Sequence, residues 1–167
     1  MRTEVIFDTV YYCIDERPVF DSGKTGAWMY TYTSVGKADK VCRAAVENGI
    51  VQQCMHPDCP VGTAVFLVDY DDYDTHRRIL QFFIDNKLIP TDKAEGYLDI
   101  PFYIIVPSES IESGMNFTAL LRLSDFVDIR TGEFHKNIES HLPLHRRLAV
   151  QVQENWIATH NKIILHL

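Results

Sequence analysis

No apolar run in these 167 residues approaches the roughly 20 needed to cross a bilayer, so the chain is expected to contain no membrane-spanning helix. Cationic excess is missing too: 16 Lys and Arg against 23 Asp and Glu leave a net charge of −7, which argues against non-specific adhesion to nucleic acid or anionic membrane. Cysteine is sparse. Cys13, Cys42, Cys54 and Cys59 share no repeated spacing, which excludes a recognisable disulfide framework and leaves free thiols as the expectation. The opening Met1-Arg2-Thr3-Glu4 carries an acid at once and no uniform apolar stretch, so no signal peptide is expected and a cytoplasmic location is inferred.

Catalytic and cofactor signatures are also missing. Gly23-Lys24-Thr25 has the end of a phosphate-binding loop, but the glycine required five residues earlier is Pro18. The next segment, Gly26 to Thr33, is aromatic and β-branched and reads as strand rather than as a phosphate-cradling helix. No Gly-x-Ser-x-Gly elbow occurs. His141 and His145 are four apart, yet no glutamate follows the first, and Pro143 intervenes. Cys54, His56 and Cys59 are soft ligands without the two-residue gap or the second pair of a zinc site. Read as a calcium loop from Asp69, the acidic run has Asp74 where glycine belongs and Leu80 where glutamate belongs. No metal and no cofactor are expected.

What is present is ordinary globular material, 46% hydrophobic and 23% charged, of a length suited to a single domain spanning 1–167. Glu4 to Ile14 is β-rich, with imperfect alternation. Ala27 to Thr33 alternates cleanly, with Trp28, Tyr30 and Tyr32 on one face. Ser34 suits an N-cap; Ala38, Val41, Cys42 and Ala45 recur at helical spacing, and Gly49 suits the left-handed position after the helix. Ile50 to Met55 predicts a short strand and Ala64 to Tyr70 a central one. A second helix starts near Asp72 or Asp74, with Ile79, Leu80, Phe83 and Ile84 as its stripe and Arg77, Arg78, Asp85 and Lys87 off it. Tyr97 to Val106 and Asn116 to Leu123 continue the β content, Pro101 marking an edge or bulge. Segment 143–160 reads as helix with strand as the alternative, and Ile163 to Leu167 as a last strand. The fold class is α+β: helices on one face of a curved, largely antiparallel sheet, the other face free for solvent, a ligand or another subunit.

Three features carry a family resemblance: the Gly-Lys-Thr-Gly-Ala-Trp-Met strand, the capped helix after it, and Val65-Phe66-Leu67-Val68-Asp69-Tyr70-Asp71-Asp72-Tyr73-Asp74 passing from strand to helix. Together, over roughly Lys24 to Ile105, they resemble proteins including the basophilic-leukaemia-expressed protein family, which share the fold of the cap-binding translation initiation factor 4E. The resemblance implies a curved antiparallel sheet backed by helices. It implies a fold and not cap recognition, because neither Trp28 nor Trp156 matches a cap-stacking position.

The candidate ligand-binding set is Trp28, Tyr30 and Tyr32 as an aromatic platform, with Lys24, Arg122 and Arg130 as partners for phosphate or carboxylate. The expected function is a binding module for a small ligand, nucleotide or protein partner on the open sheet face. Two alternatives stand beside it. One is a hydrolase or lyase acting on a phosphorylated substrate through a histidine, drawn from His135, His141, His145 and His160 with Glu133, Glu139 and Glu154. The other is an interaction or homo-oligomerisation domain that pairs through its sheet face or an edge strand. No strong nucleic-acid signal is present.

Overall fold

The computed structural model describes residues 1–14, 24–105 and 117–138. The 143–160 helix, the 163–167 strand, Trp156, His141, His145 and His160 all fall outside them, as do Pro18 and Gly23.

β1 (Arg2–Ile6) and β2 (Thr9–Cys13) form a hairpin. The sequence reads Glu4 to Ile14 as one irregular strand, but the chain reverses at Phe7 and Asp8, whose φ angles are 46° and 58°. Two consecutive left-handed residues make the tight turn that matches strand twist, ordinarily signalled by Asn-Gly. Phe-Asp carries no such signal, which is why the reversal is illegible locally.

β3 (Thr25–Tyr32) leads into α1 (Val35–Glu47), and β4 (Gln53–Pro57) and β5 (Gly62–Asp69) precede α2 (Tyr73–Asp85). β6 (Thr91–Asp92) and β7 (Gly96–Tyr97) pair as a small ribbon. β8 (Pro101–Ile105), β9 (Phe117–Arg122) and one 3₁₀ turn (Leu123–Asp125) come next. The predicted Tyr97–Val106 strand is therefore split, with Pro101 opening β8 where its missing N–H costs least. The ladder to β9 shifts register between Phe102 and Tyr103.

The main sheet has the order β1-β2-β4-β5-β3-β8-β9, and every neighbouring pair is antiparallel. β5 lies at its centre, as its continuous apolar run predicts. This is an α+β architecture with, among the described residues, a largely antiparallel sheet and two helices. No helix among the described residues is long and apolar enough to cross a membrane.

Both helices pack on one face of the sheet. Phe83 of α2 meets Phe66 edge-on at 4.9 Å and Tyr30 at 5.8 Å. The Cys42 carbonyl of α1 accepts a bond from Cys54 Sγ of β4. Both helices end alike. After α1, Ile50 N donates to Ala45 O, with Gly49 at φ 65°; after α2, Leu88 N donates to Phe83 O, with Lys87 at φ 53°. These are left-handed C-terminal caps, one built on the expected glycine and one on a lysine. At its N-terminus α2 is capped by Asp72, which accepts from Thr75 N, whereas the Ser34 hydroxyl makes no cap bond to α1.

The opposite face is only partly open. One cross-strand row, Cys13, Gln53, Leu67 and Ala27, is buried, and the next, Tyr11, Met55, Val65 and Met29, is half-buried.

Gly26 serves as a close-approach position. A Cβ there would lie 2.4 Å from both Phe102 Cζ and the Tyr103 carbonyl oxygen. The absent side chain lets the Phe102 ring lie against β3 beside Trp28. Gly26→Ala is expected to destabilise the domain by about 1–3 kcal/mol through overpacking, read as a lower urea midpoint at unchanged slope. A midpoint equal to that of the natural chain would refute this account of Gly26.

Candidate ligand groove on the second helix

The six residues expected to bind a ligand do not converge. Lys24 is ion-paired with Asp71 Oδ2 at 2.8 Å. Trp28, Tyr30 and Tyr32 point under the helices and are buried. Trp28 Nε1 donates to His76 Nδ1 at 2.7 Å, and Phe102 and Phe126 close over the indole at 5.4 and 5.9 Å. Burial pushes the Tyr30 phenol above its ordinary pKa. The Tyr32 hydroxyl donates to Pro57 O at 2.5 Å. Arg122 Nη1 donates to Asp99 O at 3.2 Å, near the far edge of the sheet. Arg130 sits in the turn after Asp128, where the Arg130 and Thr131 amides hold the Asp128 carboxyl below the usual range. The alternating pattern places the three aromatics on one face correctly, but alternation alone does not say which face the helices cover.

The candidate metal ligands are also engaged elsewhere. Asp72 caps α2, binding Thr75 N at 3.0 Å and Thr75 Oγ1 at 2.6 Å. Cys54 donates to the Cys42 carbonyl and Cys59 to Val61 O, at 3.3 and 2.9 Å. Burial pushes the Cys54 thiol well above its ordinary pKa. His56 is buried with Nε2 on Asp39 Oδ1 at 3.1 Å and Nδ1 on Pro57 O at 2.9 Å. Tyr12, stacked on the imidazole, also donates to Asp39. This network ties β2 and β4 to α1. Among the described residues no group of three or more His, Cys, Asp or Glu could hold a metal ion.

The arrangement best suited to a ligand lies on the outer face of α2. Ile50, beyond the α1 cap, Phe82 of α2 and Phe134 of the last described turn line an open groove of about 360 Å³. All three are half-buried, giving an apolar floor. Arg77, Arg78, Gln81 and Asp85 form its rim. The Arg77 guanidinium lies 5.0 Å above the Phe134 ring centroid and donates to His135 O at 3.4 Å. Arg78 Nη2 donates to Thr75 Oγ1 at 2.6 Å, which is itself held by Asp72. Asp85 accepts from Gln81 Nε2 at 2.8 Å. Among the described residues no carboxylate lies within ion-pair distance of Arg77 or Arg78. Two oriented guanidiniums above an apolar floor suit a planar anion joined to an apolar body.

Sequence reasoning sets Arg77 and Arg78 aside as the solvent face of the helix. One local signal was available. Arg78, Gln81, Phe82 and Asp85 recur at i, i+3, i+4 and i+7, a second stripe on α2 whose aromatic residue, Phe82, the core buries only in part.

No family model, no curated protein and no solved structure matches this chain. The groove's own chemistry therefore carries the functional argument.

Proposed function

We propose that this chain is a non-enzymatic binding module whose ligand is a small organic carboxylate with an apolar body, seated in the α2 groove. The observation that carries the reading is the pair of guanidiniums held by neutral acceptors above Ile50, Phe82 and Phe134. In a protein of net charge −7, two cations lacking a carboxylate partner among the described residues are positioned for an anion from outside. The groove is within the size range of small-molecule sites, which begins at about 300 Å³. The reading moves the site from the open sheet face and the Lys24–Arg122–Arg130 set to α2, and keeps the class of function. A fold of the initiation factor 4E type, and a cytoplasmic setting, belong to the same proposal. They rest on the Lys24–Ile105 resemblance and on four cysteines without a disulfide framework.

Titration with 4-phenylbutyrate against 4-phenylbutanol, followed by amide shifts in NMR spectra, tests the reading. The carboxylate is expected to shift residues of α2 and the Phe134 turn and to bind at least tenfold more tightly than the alcohol, about 1.4 kcal/mol. Arg77→Ala and Arg78→Ala should each reduce that preference. Equal binding of acid and alcohol, no saturable shift, or shifts elsewhere would overturn it.

A further inference from the structure

β1 is an edge of the seven-stranded sheet formed by the described strands. The two-residue turn after it makes Ile6 and Thr9 the closing hydrogen-bonded pair, so Ile6, Glu4 and Arg2 turn their backbone groups toward β2. The N–H and C=O groups of Thr3 and Val5 then face outward. Exposed apolar surface concentrates here as well. Of the six large apolar side chains exposed among the described residues, Met1, Val5, Phe7 and Ile14 belong to this hairpin or its ends, and Val5 is 66% exposed. Natural edges are usually blunted by inward charge, proline or a bulge. β1 has no proline, and its two charges, Arg2 and Glu4, share one face and pair with each other.

We propose that β1 is a self-recognition edge, pairing antiparallel with β1 of a second copy of this chain about a two-fold axis at Thr3. This inference is independent of the α2 groove. The register follows from charge. Pairing about Thr3 sets Thr3 against Thr3 of the partner in the hydrogen-bonded position. It places Arg2 directly opposite the partner's Glu4, twice by symmetry, in the closer non-hydrogen-bonded position. Pairing about Glu4 would instead set two carboxylates side by side, a destabilising contact. Pairing about Val5 would set Glu4 against an isoleucine.

The Thr3 register also joins the exposed apolar side chains. Val5 pairs with Val10 within the hairpin, on the face that carries Tyr12. Across the two-fold axis it meets the partner's Met1, whose own neighbour in the hairpin register is the partner's Ile14. Val10, Val5, the partner's Met1 and the partner's Ile14 become one apolar row on the helix-covered face, with the Arg–Glu pairs on the other. A five-residue ladder buries little area, so the dimer is expected to be weak and concentration-dependent.

Sedimentation of the full chain over a wide concentration range is expected to show a monomer–dimer equilibrium. Arg2→Glu or Glu4→Arg alone sets like charges opposite each other twice and is expected to weaken dimerisation at least tenfold. An equimolar mixture of the two variants makes both cross-strand pairs complementary again and is expected to restore the dimer, as is the double exchange in one chain. Rescue by mixing separates pairing from misfolding, because two misfolded variants would not repair each other. A natural chain that stays monomeric throughout, single variants that dimerise as well as the natural chain, or a mixture that fails to recover would each overturn the proposal.

Discussion

Trp28→Ala is expected to cost about 3–5 kcal/mol, a large share of the roughly 5–15 kcal/mol by which domains of this kind are stable. The indole is fully buried and sits at the centre of an aromatic cluster with His76, Phe102 and Phe126. Truncation removes its packing and leaves a cavity between sheet and helix. It also removes the N–H that satisfies His76 Nδ1. Trp28→Phe separates these effects. Most of the packing is kept, while a buried ring nitrogen loses its donor, at a cost of about 1–3 kcal/mol. Urea denaturation of the three proteins should rank them natural chain, Phe variant, Ala variant. A Phe variant as stable as the natural chain would mean that the Trp28–His76 bond adds nothing to stability.

Acid is expected to act through the same pair. His76 is fully buried, and that burial lowers its pKa from 6.5 to about 4, against the opposing influence of the Tyr70 carbonyl and of Asp72, Asp69 and Asp71. Both ring nitrogens are engaged: Nδ1 accepts from Trp28, so Nε2 carries the proton and donates to Tyr70 O at 3.2 Å. A second proton would have to sit on Nδ1, facing the indole N–H. Between pH 6.5 and about 4 the unfolded chain therefore binds a proton that the folded chain does not. The contribution is fully present above pH 6.5 and is lost as pH falls toward 4, to a total of about 3 kcal/mol from this group. His76→Asn keeps an acceptor near the Nδ1 position and removes the titration. Its stability at pH 7 should be lower than that of the natural chain, and its loss between pH 7 and 4 smaller. Parallel pH profiles for the two proteins would contradict the assignment.

Both experiments probe contacts that join residues 48 apart in the chain, and that separation marks the limit of local reading. The alternation of Trp28, Tyr30 and Tyr32, the stripe Ala38–Val41–Cys42–Ala45, the glycine at 49 and the acids at the start of α2 are local signals. Each reports a backbone conformation that a few neighbouring residues determine, and each element appears where those signals put it. The Phe7–Asp8 reversal is misread because its residues lack the usual turn signature, and the division of Tyr97–Val106 because Pro101, read as an edge or bulge within one strand, opens a new one. In the first case the hairpin's pairing holds the chain in a left-handed turn that Phe and Asp do not advertise.

Side-chain roles were less legible. Lys24 looks free in the sequence, but in space it meets Asp71, 47 positions later. Trp28 looks like a stacking platform until two helices cover its face. Arg77 and Arg78 look like ordinary solvent-facing charges until Ile50 and Phe134 arrive from distant segments to floor the groove between them.

The sequence by itself determined the class of this protein: α+β content, the positions of both helices, a central β5, and the absence of a complete phosphate-loop or catalytic motif. Those properties follow from periodicity, capping and composition, which act over a few residues. Tertiary structure alone decided the strand order, which sheet face the helices bury, which cations keep a carboxylate partner among the described residues, and which of the described strands lie at the edges. Each of these depends on pairing and packing between segments far apart in the chain.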